Sequence, residues 1–232
     1  VEMIMREKRN ATRNLSYEDI AVLYRTNAQS RAFEGELRKN NIPYRIYGGT
    51  SFYQRKEIKD TLAYFRLAVN PKDNEALLRA LTFPSRGIGD TTMKKVTLCA
   101  IENNQSYLEV MRHPDDYPLE MSGPMRKKIS AFAAMIDEMA VQSEEMDAFR
   151  FAEMLLKQTG LTTALMMDRT TEGIDRAQNV QELLNAIREF VTQRTNEGID
   201  YTPITDFLSE VSLMTDQDDN QADTTDRVTL MT

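Results

Sequence analysis

The sequence has almost none of the residues that build disulfides and metal centres. Cys99 is its only cysteine and His113 its only histidine among 232 residues. A single cysteine excludes an internal disulfide, which fits a reducing compartment such as the cytoplasm. Cysteine and histidine together cannot complete a tetrahedral zinc site, so we expect no structural zinc. A catalytic triad is equally unsupported, because no Gly-x-Ser-x-Gly elbow accompanies the lone histidine.

Long apolar runs are also missing. No stretch approaches the roughly 20 apolar residues of a membrane-spanning helix, and no charged-then-apolar leader follows Val1. We therefore expect a soluble, cytoplasmic protein without membrane contact. Nine glycines and seven prolines are too few for a disordered or fibrous chain, and 41% hydrophobic residues are enough for a packed core.

A phosphate-binding loop for ATP is absent. That loop needs the pattern Gly-x-x-x-x-Gly-Lys-Ser/Thr, and no glycine of this chain is followed by lysine. We therefore expect the chain to bind no ATP and to have no ATPase activity on its own.

The net charge of −7 argues against nucleic acid as a partner, but the charge is unevenly distributed. Residues 1–95 carry 18 Lys and Arg against 11 Asp and Glu, a balance of +7, and residues 96–232 carry 11 against 25, a balance of −14. The first part could attract phosphate while the second is repelled by it. Two ordinary solvated surfaces explain the same numbers.

The first fifty residues have the pattern of a strand, a helix and a second strand. Residues 20–25 form a short apolar run, typical of a strand buried on both faces of a parallel sheet. Residues 29–40 predict an amphipathic helix that ends near Pro43, and residues 44–47 predict the second strand. This βαβ unit is too small to be a domain, so we expect it to be the corner of a larger sheet.

The remainder is predicted to be helical. An acidic, aperiodic segment at residues 215–226 favours a loop, and residues 228–232 have the pattern of a strand that needs a sheet to join. We expect it to join the βαβ corner, so the predicted fold is mainly α with a small parallel α/β corner and a helical insertion. Predicted helices cover residues 54–69, 74–82, 91–103, 105–112, 124–144, 147–158, 161–168, 174–195 and 203–213.

A glycine turn gives the strongest local signal for a binding site. Gly87 and Gly89 flank Ile88, which allows a tight turn with outward-facing amides, and Asp90 is expected to cap the next helix. Amides at a helix N-terminus can hold a DNA phosphate, as in a helix–hairpin–helix that grips duplex without reading sequence. A plain helix–helix turn explains the pattern equally well. Further donors lie beside it: Arg86, Thr91, Thr92, Lys94 and Lys95.

A second candidate site follows the first predicted strand. Tyr24, Arg25 and Asn27 come where that strand ends, the edge at which open α/β sheets bind ligands. Arginine and asparagine can hydrogen-bond phosphates and base edges of a single strand, and an aromatic ring can stack on a base. A polar strand end that faces a neighbouring loop is the alternative.

Three segments together resemble the UvrD/PcrA/Rep helicases of superfamily 1. They are Asp-Ile-Ala-Val-Leu-Tyr-Arg-Thr-Asn-Ala-Gln-Ser-Arg (19–31), Tyr-Gly-Gly-Thr-Ser-Phe-Tyr-Gln-Arg-Lys-Glu-Ile-Lys-Asp (47–60) and Pro-Ser-Arg-Gly-Ile-Gly-Asp (84–90). They occur in family order and at family spacing, and the terminal Val-Thr-Leu-Met-Thr (228–232) resembles the strand that precedes a Lys-Gly-Leu-Glu motif. The resemblance is strong over residues 19–95 and looser beyond.

The resemblance implies a fragment of an ATP-driven motor that moves 3′ to 5′ on single-stranded DNA and unwinds duplex in repair and replication. Residues 1–47 and 227–232 would be parts of the second RecA-like motor lobe (subdomain 2A), and residues 48–226 its helical insertion (2B). ATP and Mg²⁺ would serve the full-length protein at residues outside this chain. The implied partners are DNA, the other motor lobes, and repair or replication proteins.

The resemblance also assigns residues to DNA. Arg25 and Asn27 match positions that contact the single strand, and Tyr24 joins them from its place at the strand end. Gly87, Ile88, Gly89 and Thr92 match the turn that contacts duplex. Neighbouring donors are added to the expected duplex contacts: Arg86 and Thr91 at the turn, and Lys56 and Lys59 on an earlier basic helix. Two other interpretations stay open, a subunit of a recombination helicase–nuclease and a regulatory protein-interaction module of a motor.

Overall fold

The structure, a computed structural model, describes residues 1–9, 14–220 and 226–232, with side chains for all of these except residues 216–220. The described residues form eleven α-helices and three strands. The helices are α1 (Glu2–Lys8), α2 (Ser30–Lys39), α3 (Lys56–Val69), α4 (Asn74–Thr82), α5 (Asp90–Glu102), α6 (Tyr107–Arg112), α7 (Gly123–Glu145), α8 (Ala148–Gln158), α9 (Leu161–Met167), α10 (Thr171–Asn196) and α11 (Ile204–Asn220). The strands are β1 (Ala21–Leu23), β2 (Tyr44–Ile46) and β3 (Val228–Met231). Within this described part, no helix combines the length and the apolar character that crossing a membrane requires.

The chain divides into two compact units. The first contains residues 1–59, 169–183 and 209–232, and the second contains residues 60–168 and 184–208. Helices α3, α10 and α11 contribute residues to both. This division follows internal packing and does not test the expected boundary between motor lobe and insertion at residues 47 and 48, which stays a prediction.

A parallel sheet forms the centre of the first unit. Its strand order is β1-β3-β2, and Leu230 of β3 lies opposite both Val22 and Ile46. The last strand therefore joins the corner formed by β1 and β2, as predicted, but lies between them. Beneath the sheet, side chains from helix, loop and strand share one core: Ile4, Tyr24, Leu37, Ile42, Tyr44, Val228 and Leu230. The mainly helical class with a small parallel α/β corner is confirmed.

Strand β1 differs from the expectation of a strand buried on both faces. Ala21 and Leu23 are exposed, and Leu23 retains 73% of its accessible surface. Among the described residues β1 is hydrogen-bonded on one side only, to β3, so it forms an edge of the sheet. An apolar run predicts a strand but does not reveal which of its neighbours are present.

Aromatic and aliphatic side chains of the helices fill the core of the second unit. Phe65 of α3 packs against Phe151 of α8 with ring centroids 6.1 Å apart, and Phe190 of α10 meets Phe207 of α11 edge-on at 5.7 Å. The fully buried Tyr64 donates its hydroxyl to the carbonyl of Ala80 at 2.6 Å. Because buried polar groups are costly unless bonded, this bond fixes α3 against α4.

Predicted helix ends lie within three residues of the observed ones, apart from two larger differences. Asp73 caps α4 by accepting from the amide of Ala76 at 2.9 Å, and α4 spans the predicted residues 74–82. Helix α1 was not predicted. Helix α11 continues to Asn220, so residues 215–220 of the expected loop are helical. Residues 221–225 of that loop lie outside the described residues.

Candidate nucleic-acid interface

A cleft of about 330 Å³ opens in the first unit where the three strands end. We call it the strand-end cleft. Its walls include Tyr24, Tyr47 and Thr232, which directly follow or lie next to the ends of β1, β2 and β3, together with residues of α3 and α10. The carboxyl edge of a parallel sheet is the usual ligand site of α/β folds, so the second sequence candidate lies at such an edge.

The loop after β1 is held in one shape by Gln29. Its side-chain oxygen accepts hydrogen bonds from the backbone N–H groups of Arg25, at 2.9 Å, and Thr26, at 3.1 Å. Thr26 and Gln29 form a capping box around a short 3₁₀ turn. The side chains of Arg25 and Asn27 are exposed. A fixed backbone with exposed donors is suited to binding because little conformational freedom is lost when a ligand arrives.

A buried arginine fastens this loop from below. Arg55 keeps 9% of its surface and donates to the carbonyl oxygen of Asn27 at 2.8 Å and to the hydroxyl of Ser30 at 2.6 Å. It also donates to the side-chain oxygen of Asn179 at 2.8 Å, and Asn179 in turn donates to Glu57 at 2.5 Å. Burial lowers the pKa of Arg55, while nearby carboxylates act in the opposite direction. Arg55 is therefore a positioning residue.

The two tyrosines of the strand-end cleft differ in exposure. Tyr24 is 9% exposed and its ring stacks on Phe33, with centroids 6.0 Å apart, so it belongs largely to the core. Burial accordingly raises the pKa of Tyr24. Tyr47 is 71% exposed. The aromatic surface that the sequence assigned to Tyr24 is thus presented mainly by Tyr47.

Charges of both signs line the strand-end cleft. Asp175 of α10 accepts a long hydrogen bond of 3.5 Å from the side-chain amide of Asn27, and Glu172 pairs with Arg176 at 3.6 Å. Lys56 is exposed and lines the cleft, so the structure groups it with the single-strand candidates, although the sequence assigned it to duplex. Lys59 is half-buried, and the first of the three segments that form the first unit ends at this residue.

The glycine turn lies in the second unit. Gly87 has a φ of +65°, in the left-handed region that favours glycine. A Cβ on Gly87 would come within 2.9 Å of the Lys128 amine, whereas a Cβ on Gly89 would meet no atom within 4 Å. Ile88 is buried, so its side chain anchors the turn and only its backbone faces outward.

Helix α5 begins one residue earlier than the sequence predicted. Gly89 is the N-cap and Asp90 is the first helical residue, without a side-chain capping bond, so the expected Asp90 cap is wrong. The extended backbone of Gly89 lets the helix start there. The negative charge of the Asp90 carboxylate instead interacts favourably with the positive end of the helix dipole. Thr91 is exposed, while Thr92 is half-buried and its N–H donates to the Gly89 carbonyl at 3.0 Å.

Arg86 holds the glycine turn to the protein. One guanidinium nitrogen donates to the Tyr64 hydroxyl at 2.9 Å and to the Thr159 carbonyl at 2.7 Å. The guanidinium also lies over the rings of Tyr64 and Phe132, at 5.7 and 5.9 Å. Its Nε is buried and has no hydrogen-bond partner among the described residues. This geometry favours a positioning role over the direct duplex contact that the sequence suggested.

Two lysines follow the turn on α5, and a third, on α7, approaches Gly87. Lys94 on α5 is exposed, and Lys95 donates to the backbone carbonyl of Glu120. Lys128 on α7 is exposed and lines a cavity of about 220 Å³ together with Arg86 and Phe132. The turn therefore presents backbone amides and ammonium groups together, which is the chemistry that binds a phosphate.

Sequence reasoning missed Arg55, Asn179 and Lys128. Arg55 and Asn179 are 124 positions apart, and no local pattern announces such a pair. Lys128 lies on the helix predicted at residues 124–144, which no local motif links to the glycine turn. Arg55 does lie inside the segment that carried the resemblance, so its position was marked although its role was not.

Fold and candidate surfaces together define a mainly helical protein with a parallel sheet corner and two loops that present exposed donors. The family model described as "UvrD-like helicase C-terminal domain" matches residues 1–232. The chain belongs to that family, which confirms the resemblance found in its motifs.

Proteins similar in sequence to this chain are named as helicases, in agreement with the family match. The ATP-dependent DNA helicase PcrA of Leuconostoc citreum is 37% identical over 224 residues, which cover 95% of this chain and 29% of the relative. The ATP-dependent DNA helicase PcrA of Staphylococcus aureus is 33% identical over 232 residues, all of this chain and 30% of the relative. The same enzyme of Staphylococcus epidermidis is also 33% identical. The chain thus spans about 30% of the length of these relatives.

Proposed function

We propose that this chain is the DNA-gripping part of an ATP-dependent DNA helicase that moves 3′ to 5′ and unwinds duplex during repair or replication. The observation that carries the proposal is the family match along residues 1–232, with relatives named as ATP-dependent DNA helicases. The first unit would hold the single strand and the second would hold duplex. The cytoplasm stays the proposed location, and the other motor lobes and repair or replication proteins stay the proposed partners.

The single strand is held by the loop after β1. Arg25 pairs with a backbone phosphate, and the amide of Asn27 bonds a base edge or sugar. The support is that both side chains are exposed on a loop fixed by Gln29 and Arg55. A loop fixed before DNA arrives transmits movement of the motor lobe directly to the strand.

The duplex is held by the glycine turn. Backbone N–H groups around Gly87 and Gly89, the hydroxyls of Thr91 and Thr92, and the amine of Lys128 contact phosphates without reading sequence. Open space beyond Gly89 supports a close approach of the DNA backbone. When the motor pulls the single strand, a duplex that is held elsewhere is forced apart.

ATP and Mg²⁺ are assigned to parts of the full-length protein outside this chain. The carboxylates of the strand-end cleft do not fit a metal–nucleotide site, because Glu57 accepts from Asn179 and Glu172 pairs with Arg176. Across the described residues, no group of three or more His, Cys, Asp or Glu is arranged to hold a metal ion.

A matched pair of variants at Gly89 tests the duplex grip. Aspartate and asparagine are equally good N-caps and similar in size, so Gly89→Asp and Gly89→Asn should fold alike. Only aspartate brings a negative charge to the proposed phosphate site. In fluorescence anisotropy with a tailed duplex, we expect Gly89→Asp to bind at least tenfold more weakly than Gly89→Asn.

Salt dependence supplies the second arm of this experiment. Contact with phosphates predicts that affinity falls steeply with rising salt, by about one unit of logarithmic slope per phosphate neutralised. Binding that is insensitive to salt, with equal affinities for the two Gly89 variants, would count against the DNA grip and favour a protein-interaction module.

A further inference from the structure

The strand-end cleft contains an exposed aromatic ring, that of Tyr47. Tyr47 follows β2 directly, and its backbone N–H continues the sheet by donating to Leu230 at 2.8 Å. Its backbone is therefore fixed while its side chain stays 71% exposed. Tyr44, on the same strand, is buried in the core. A ring exposed at the carboxyl edge of a parallel sheet, where α/β folds bind ligands, is available to stack on a flat ligand.

The chain beyond Tyr47 leaves the ring accessible. Gly48 has a φ of +76°, so the backbone turns sharply at once, and a Cβ placed on Gly48 would meet no atom within 4 Å. No bulky side chain from this turn covers Tyr47. Both glycines after Tyr47 also line the strand-end cleft.

The charge balance of the cleft favours a base over a phosphate. Its cations are Arg55, Lys56 and Arg176, and its carboxylates are Glu57, Glu172 and Asp175. Each sign is thus represented three times, and an entering phosphate would face carboxylates as well as cations. A nucleobase is neutral, carries donors and acceptors on its edges, and has a flat face suited to an aromatic ring.

Arg25 offers the phosphate a contact outside the strand-end cleft. It lies two residues before Asn27 on the same loop, is exposed, and does not line the cleft. Asn27 does line the cleft. A nucleotide could therefore place its base in the cleft while its phosphate remains at Arg25.

We propose that the strand-end cleft takes one base of the single strand, stacked on Tyr47 and bonded along its edge by the amide of Asn27. This inference rests on the proposed function and sharpens it, because it assigns the aromatic contact to Tyr47 instead of Tyr24. The base must displace the long Asn27–Asp175 contact of 3.5 Å, which is weak enough to exchange.

Two oligonucleotides and two variants test the proposal on the 232-residue chain. The probes are fluorescent oligothymidylate and an abasic oligonucleotide of equal length, which has the same phosphates and no bases. Tyr47→Phe keeps the ring, and Tyr47→Leu keeps apolar bulk without a π face. We expect Tyr47→Leu to bind oligothymidylate about tenfold more weakly and Tyr47→Phe to bind it like the unmodified chain.

The abasic probe separates the base contact from the phosphate contact. We expect the unmodified chain and Tyr47→Leu to bind it equally and more weakly than the unmodified chain binds oligothymidylate. Equal affinity of the unmodified chain for both probes would overturn the base assignment and leave the proposed DNA grip intact. Displacement of oligothymidylate by a similar concentration of ATP would also overturn it, since the cleft would then accept a free nucleotide. Binding to neither probe would overturn the proposed function itself.

Discussion

Each unit of the molecule holds a loop with exposed donors by means of one arginine, buried in the first unit and half-buried in the second, but the two arginines have different partners. Arg55 bonds the carbonyl of Asn27 and reaches Glu57 through Asn179, so its charge is balanced within the protein. Arg86 bonds a hydroxyl and a carbonyl and lies over two rings, all of them neutral. The charge of Arg55 is therefore neutralised within the first unit, whereas the charge of Arg86 is not neutralised by its partners in the second.

This difference suggests what each region can bind. A charge-balanced cleft with an exposed ring favours bases, and its phosphate contact is confined to Arg25 at the edge. Within the described part of the chain, no carboxylate pairs with Arg86 or Lys128, so the glycine turn beside them favours phosphate. Single strands expose both bases and phosphates, whereas the outside of a duplex offers mainly phosphate. These differences support the proposal that the first region binds single strand and the second binds duplex.

Removal of Arg55 should have the largest effect. In Arg55→Ala, the Asn27 carbonyl, Ser30 and Asn179 lose a buried charged donor together, so we expect a stability loss of about 3 kcal/mol. Urea unfolding followed by circular dichroism measures it. Arg25→Ala is the matched control, an exposed arginine whose loss should change stability by less than about 0.5 kcal/mol. Equal stability of the two variants would contradict the positioning role.

Removal of Arg86 should cost less. Arg86→Ala deletes two hydrogen bonds to neutral groups and two ring contacts, for which we expect about 2 kcal/mol. The glycine turn should loosen, and amide hydrogen exchange should rise around residues 85–92 more than in the sheet. Unchanged exchange in that segment would show that the turn does not depend on Arg86.

Lys128→Ala should weaken tailed-duplex binding a few-fold and lower the logarithmic salt slope by about 0.9, the value of one phosphate contact. Lys127→Ala is the control, because Lys127 is exposed on the same helix and does not line the cavity beside the turn. Isothermal titration at several salt concentrations checks both slopes. Equal changes in the two variants would show that Lys128 contributes only general positive charge and makes no specific phosphate contact.

The smallest effect concerns alkaline pH. Burial raises the pKa of Tyr53 to about 12 in the first unit and also raises the pKa of Tyr64 in the second. The folded protein keeps these protons where the unfolded chain, with a pKa near 10, releases them. Stability should therefore be full below pH of about 10 and fall as pH rises towards about 12. Tyrosinate absorbance should show three late-titrating tyrosines, Tyr24, Tyr53 and Tyr64, and titration of every tyrosine near pH of about 10 would contradict their burial.

Helices and strands were predicted from the sequence more accurately than the tertiary contacts between them. Helix α4 was predicted to the residue, with Pro84 as the signal that stops it, and β3 was matched to its sheet because a lone strand needs partners. The exposed edge of β1 was missed, since an apolar run does not reveal which neighbours are present. Helix α1 carried no strong signal of its own.

The candidate sites show the same limit. Arg25, Asn27 and the glycine turn were predicted because each lies within a short motif. The sequence did not predict that Tyr47, and not Tyr24, presents the exposed ring, because exposure depends on how Phe33 packs on Tyr24 in the folded chain. The network of Arg55 and Asn179 and the approach of Lys128 to Gly87 are likewise tertiary, joining residues more than forty positions apart.

The central claim is that the two regions hold different forms of DNA, and a crossed measurement tests it most directly. Arg25→Ala and Gly89→Asp are each titrated with oligothymidylate and with blunt duplex. We predict that Arg25→Ala loses about tenfold in affinity for the single strand and little for duplex, and that Gly89→Asp does the reverse. Equal losses of both variants on both DNAs would contradict the account.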